Sequence, residues 1–172
     1  MNDWIIPLDG WAAGVRELRG CAGIEFFQKF GNTEILDAAV DVDITVGKSG
    51  RSIDVDLSLK GEVTTVCDRC LEDLRLPVET SPHFRVKFGA EPSEGEEESE
   101  DGREILYLPA SSPELDLGQV IYDYVCLSLP LQKVHPEGEC NPDTVKFLGQ
   151  ESGDEEAEQN SPFAALKGLF KQ

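Results

Sequence analysis

The feature that most constrains this chain is a period-two alternation of apolar and polar residues that restarts repeatedly between Val40 and Phe88. Val40, Val42, Ile44 and Val46 alternate with polar neighbours, as do Ile53, Val55, Leu57 and Leu59, and GKSGRS separates the two runs. Successive side chains of a strand point to opposite faces, so this pattern around a glycine-containing turn predicts a hairpin with one buried face. A third strand is expected over Glu62 to Val66 after Gly61. Further strands are expected through Leu74, Leu76 and Val78, through Phe84, Val86 and Phe88, and over Arg103 to Leu108. His83 falls on the polar face of its strand and reads as a surface residue. The body is therefore a mainly antiparallel β meander of about five to seven strands, either open or partly closed into a barrel.

Before the meander, Trp4 to Leu8 reads as a short first strand or an apolar arm, interrupted by Pro7, and Gly10 and Gly14 mark loose connections. The apolar run from Ile24 through Phe26 to Phe30 suggests another strand, with Asn32 or Thr33 capping a short helical turn through Leu36. From Asp116 the period changes: Leu117, Val120, Ile121, Tyr124, Val125 and Leu127 recur at helical spacing until Pro130. The spacing predicts one main helix at about 116 to 129, capped by Asp116 with Gln119 three residues on. Together these elements make an α+β fold, a single domain over residues 1–148.

The chain carries a net charge of −19, unevenly spread. Glu91 to Gly102 holds seven acidic residues and no base, and Gly149 to Ser161 holds five more. The first run cannot bury enough apolar surface to offset its ordering entropy, so it reads as a disordered acidic loop at 91–102; the second reads as an acidic linker at 149–161. An acidic surface repels phosphate backbones unless a local basic patch exists, and it suits a basic protein partner better. Arg51, Lys60, Arg69 and Arg75 flank the hairpins and are the candidates for such a patch, with ordinary surface solubility the plainer reading. The N-terminus shows no basic leader, and no stretch reaches the roughly 18 apolar residues of a membrane span, so a cytoplasmic protein is expected.

Past the linker, SPFAALKGLFKQ predicts a short C-terminal helix at 162–172, with Ser161 as cap, Pro162 at the first position, and Phe163, Leu166 and Leu169 or Phe170 in one apolar stripe. A helix this short is marginal in water, so it must dock on its own domain or on a partner.

Five cysteines, at 21, 67, 70, 126 and 140, leave an odd count, which argues against a closed disulfide framework. Cys126 on the helix, and Cys21, read as small buried hydrophobes. Cys67 and Cys70 occupy CDRCLEDL between two strands, and His135 and Cys140 occupy HPEGEC in the loop after the helix. A structural zinc takes four thiolate or imidazole ligands, commonly as two close pairs on two loops, and these four residues supply such a set. A redox dithiol would want its CxxC at a helix N-terminus, where free amides lower the thiol pKa. Unliganded reduced thiols are the remaining reading. There is no nucleophile elbow, no phosphate-cradling glycine loop and no paired-histidine hydrolase motif, so no enzyme is expected.

CDRCLEDL, a helix ending YVCLSLPL, KVHPEGEC and the terminal SPFAALKGL, taken in order over about residues 40 to 170, resemble the bacterial YceD family of large ribosomal RNA subunit accumulation proteins. The resemblance implies a cytoplasmic, non-enzymatic factor needed for normal levels of large-subunit ribosomal RNA. The family's CxRC box falls on Cys67, Arg69 and Cys70. The cysteine cluster that follows LPL in many relatives is represented here by His135 and Cys140, and its later cysteines are absent. The terminal PFAAL, Pro162 to Leu166, matches the family motif and implies a partner-facing role for Pro162, Phe163 and Leu166. The partner expected from this resemblance and the acidic field is a ribosomal protein or assembly factor of the large subunit, with ribosomal RNA contact confined to a local patch; a zinc-stabilised RNA-binding module is the alternative.

Overall fold

A computed structural model describes residues 4–50, 52–89 and 102–148. The acidic run up to Asp101, the 149–161 linker, the 162–172 motif with Pro162, Phe163 and Leu166, and Arg51 lie outside the described residues.

The alternation folds as expected at its centre. β3 (Asp37–Ser49) and β4 (Ser52–Val66) form a long antiparallel hairpin, and Val40, Val42, Ile44, Val46, Ile53, Val55, Leu57 and Leu59 are all buried on one face. β4 runs unbroken through Gly61, where the sequence suggested a new strand. A Cβ at Gly61 would lie 2.1 Å from the Ala39 carbonyl oxygen and 2.7 Å from Val40 Cα. Glycine is there so that two backbones can approach, and the ladder continues past it.

β5 (Asp73–Thr80) and β6 (His83–Phe88) both pair antiparallel with β4. Their registers are continuous: Leu59 faces Thr80, Asp56 faces His83, and the Leu57 amide donates to the Pro82 carbonyl between them. The two segments thus act as one long strand interrupted at Ser81 and Pro82, and the corner joining β4 to β5 is the tip of a second long hairpin.

The meander fails at one edge and is extended at the other. β7 (Glu104–Leu108) pairs parallel with β6, and the order across the six-stranded sheet is β2-β3-β4-β6-β7, with β5 on β4. The sheet stays open and does not close into a barrel. At the other edge, β2 (Gly14–Gly23) replaces the expected loose connections. Its core-facing positions are Arg16, Leu18, Gly20 and Ala22, so no apolar alternation marked it. Trp11 covers this edge, with the Arg16 guanidinium 4.5 Å from its ring centroid and Lys48 Nζ donating to its carbonyl at 2.9 Å.

The apolar run after β2 is a helix, α1 (Ile24–Lys29), instead of the expected strand. Phe26 and Phe30, four residues apart, share one side with ring centroids 5.2 Å apart, while Phe27 is fully buried. The helical period therefore used these aromatics better than a period of two. No helix follows Asn32; its side chain accepts from the Glu34 and Ile35 amides at 2.9 Å each and forms a turn.

One face of the sheet carries the core, and the remaining elements cover it. β1 (Ile5–Pro7) pairs with β8 (Glu114–Asp116), which leads into α2 (Gly118–Ser128). Leu115, Leu117, Ile121 and Val125 are fully buried beneath this cover. Asp116 accepts from the Gly118 amide at 2.8 Å, but Gln119 donates to Asp123 instead of completing a capping box. A further helix, α3 (Pro142–Leu148), follows the HPEGEC loop where the sequence suggested no element. Asn141 accepts from the Asp143 amide at 2.9 Å and Pro142 takes the first position, a start signal by side-chain cap and preset φ. Among the described residues no helix is long and apolar enough to cross a membrane.

Candidate metal centre

The corner at the tip of the β4–β5 hairpin is a tight knuckle. The Cys67 amide donates to the Glu72 carbonyl at 2.8 Å, and the Leu71 amide donates back to the Cys67 carbonyl at 2.9 Å. Closing this turn puts Leu71 in the left-handed region at φ 62°, costly for a side chain with a Cβ. The same turn aims the Arg69 amide at Cys67 Sγ, 3.4 Å away.

α2 ends at Ser128, just before Pro130, and the loop after it lies across this knuckle. Asp68 and Lys133 are bonded twice, from the Asp68 amide to the Lys133 carbonyl and from the Lys133 amide to the Asp68 carboxylate, each at 2.7 Å. Asn141 Nδ2 donates to Glu72 at 2.6 Å on the other side, and Lys133 Nζ reaches Glu34 at 2.7 Å. These contacts hold the loop in register, so His135 and Cys140 arrive opposite Cys67 and Cys70.

The four ligand atoms lie within 4.8 Å of one another. Cys67 Sγ is 4.0 Å from Cys140 Sγ, and Cys70 Sγ is 3.3 Å from His135 Nδ1. Cys67 and Cys70 are buried, His135 and Cys140 half-buried, and all of these cysteines are free thiols. His135 Nε2 lies 3.1 Å from the Asp73 carbonyl oxygen. A carbonyl can only accept, so Nε2 carries the proton, and a neutral ring then turns its Nδ1 lone pair toward the thiols.

The electrostatics single out Cys67. Burial pushes its thiol up, but the amides of Cys70, His135 and Arg69, with the Cys70 thiol, outweigh burial and bring it from the ordinary 9.0 down to about 6. Cys140 goes the other way, raised by burial and then by the neighbouring Cys70 and Cys67 thiols. His135 is also raised, first through its hydrogen bond with Cys67. The cluster thus sets one lowered thiol beside a raised thiol and a raised imidazole, groups whose protons a bound cation can displace. The four residues could hold a metal ion.

The other expected residues fall elsewhere. Arg69 projects from the knuckle and is exposed, and among the described residues its guanidinium pairs with no carboxylate. Lys60 pairs with Glu79 at 3.2 Å and Arg75 with Glu62 at 3.9 Å on the outer face, so the basic patch does not assemble as a free positive surface. His83 is exposed and bonded to Asp56 at 2.8 Å. Cys126 is half-buried, with its thiol raised chiefly by burial, and Cys21 is exposed on the outer side of edge strand β2, contrary to its expected burial. The outer contacts Asp68–Lys133 and Glu72–Asn141 had no sequence signal beyond the Asn-Pro start of α3.

The model of the family described as large ribosomal RNA subunit accumulation protein YceD matches residues 55–170, more than half of the chain. No curated protein and no solved structure matches it. The matched span contains both halves of the cluster, the knuckle and the loop beyond α2, and the chain belongs to the YceD family.

Proposed function

We propose that this chain is a non-enzymatic, cytoplasmic factor that supports accumulation of large-subunit ribosomal RNA by holding a basic ribosomal protein or assembly factor. The family match over residues 55–170 carries the reading. The acidic balance of −19 favours a basic protein over a phosphate backbone as the direct contact. The exposed Arg69 and the terminal Pro162, Phe163 and Leu166 are the partner-facing residues in this reading, which makes 162–172 a tethered motif beyond the folded body.

Cys67, Cys70, His135 and Cys140 would hold a structural zinc. In a tetrahedral site with the usual bond lengths, two sulfurs sit about 3.8 Å apart and a sulfur and a nitrogen about 3.5 Å apart. The observed 4.0 and 3.3 Å lie close to those values, and all four donor atoms fall within 4.8 Å of one another. With four protein ligands no position is left open for water, which supports a fastening role over catalysis. The ion would tie the hairpin tip to the exit of α2.

Sucrose-gradient sedimentation of cell extracts tests the proposal. The chain should travel with precursors of the large subunit, and its absence from every ribosomal fraction would sink the reading.

A further inference from the structure

α2 has more apolar surface than one buried face requires. Leu117, Ile121 and Val125 are fully buried, yet Val120, Tyr124 and Leu127, spaced as i, i+4 and i+7, extend the apolar surface as a second stripe along the flank of that face. Val120 and Tyr124 are half-buried and Leu127 is 78% exposed. Between this stripe and the edge of the sheet lies a groove of about 430 Å³, with Phe84 and Leu106 as its floor on the sheet side. Single exposed leucines are ordinary, but an apolar stripe facing an apolar floor across open space is not.

The charged groups of the groove are Glu104 and Asp123. Asp43, Asp54, Asp56, Glu62 and Glu79 on the sheet's outer face all have basic partners. Glu104 instead accepts from the Tyr124 hydroxyl and Asp123 from the Gln119 amide, and among the described residues neither is paired with a base. A second groove, beside Leu131 and Lys133, differs in this respect, because Lys133 there already neutralises Glu34.

Resting on the reading of the chain as a holder of a basic large-subunit protein, we infer that the groove between α2 and strands β6 and β7 is the docking site for a lysine- or arginine-rich segment of that partner. An apolar side chain of the segment seats between Leu127 and Leu106, and flanking basic side chains meet Glu104 and Asp123. Apolar burial supplies a non-directional gain, and the two unpaired carboxylates supply register and discrimination against acidic or neutral segments. The proposal separates the roles of the two ends of α2: its stripe receives the partner, while the loop beyond Pro130 closes the metal cluster.

The test is a fluorescence-anisotropy titration of the full chain with three labelled peptides. One carries two leucines flanked by lysines, the second has glutamates for the lysines, and the third has serines for the leucines. The lysine–leucine peptide should bind, with affinity falling as salt is raised, and the other two should be weaker by about tenfold or more. Leu127→Ser should weaken the lysine–leucine peptide while leaving thermal unfolding unchanged, and Glu104→Gln combined with Asp123→Asn should weaken it with no more than the small loss of stability expected from altering the Tyr124 hydrogen bond. Equal binding by these variants, or by the glutamate peptide, overturns the proposal. So does tighter peptide binding together with altered Leu127 methyl resonances in Phe163→Ser, which would assign the groove to the chain's own terminal motif. Sedimentation separates the two levels: loss of peptide binding with normal migration on large-subunit precursors removes the groove and leaves the family role, whereas absence from those precursors removes the role itself.

Discussion

Cys70 and His135, 65 residues apart in sequence, meet with Sγ 3.3 Å from Nδ1, and the other ring nitrogen of His135 is held by the Asp73 carbonyl 3.1 Å away. The strand that follows the knuckle thus fixes the orientation of the histidine that faces it. A backbone carbonyl performs a task that a carboxylate often performs in metal sites, and no side-chain substitution can remove it.

Purified chain should therefore carry one equivalent of zinc under reducing conditions. His135→Ala should weaken zinc affinity by at least about tenfold, since both the ligand and its fixed orientation are lost. Competition with a chromophoric chelator measures this. Zinc-free protein of unchanged stability would count against the clamp.

Zinc affinity should also rise with pH. Cys67, brought down to about 6, is largely a thiolate at neutral pH, but the raised Cys140 and His135 must give up protons to the ion. Each proton displaced contributes about tenfold per pH unit while pH lies below the pKa of its group. Affinities measured between pH 6 and pH 8 should climb across the whole interval, with proton release seen in calorimetry across buffers of different ionisation enthalpy.

Tyr124 should titrate late. Burial, and then its hydrogen bond and proximity to the Glu104 carboxylate, raise it from the ordinary 10.0 to about 12. The folded chain holds this proton more tightly than the unfolded chain, so its stabilisation is whole below pH 10 and is lost as pH rises from 10.0 to about 12. Absorbance near 295 nm should show a tyrosine titrating late, and Glu104→Gln should shift it earlier.

Gly61→Ala should destabilise the fold by about 2 kcal/mol or more, because the new Cβ meets backbone on β3 and no flexible side chain can move aside. Chemical denaturation measures it. A change within experimental error would mean that β3 and β4 are farther apart at this point.

The central hairpin was legible because one of its faces is fully buried, and burial writes alternation into the sequence. The convergence of Cys67, Cys70, His135 and Cys140 was legible for a different reason: cysteine and histidine at turn positions suggest a set of shared ligands. Edge strand β2 was not legible, since its core-facing positions are Arg16, Leu18, Gly20 and Ala22, and Trp11 closes that edge from another segment. The parallel pairing of β7 was hidden because a five-residue strand carries no mark of its partner's direction. The aromatics of α1 satisfy strand propensity and helical spacing alike, and the packing of Phe27 and the stacking of Phe30 on Tyr122 at 4.7 Å decided between them. The second apolar stripe of α2 was present in the sequence, in Val120, Tyr124 and Leu127, but only the fold shows that it borders a groove and that Leu127 is left exposed among the described residues.

The most direct measurement is the level of large-subunit ribosomal RNA in cells lacking this protein, complemented with the intact chain or with Cys67→Ser combined with Cys140→Ser. Large-subunit RNA should fall on deletion, recover with the intact chain, and fail to recover with the variant, whose zinc content and unfolding are measured alongside. Normal large-subunit RNA after deletion, or full recovery with a variant shown to be zinc-free, would contradict the account.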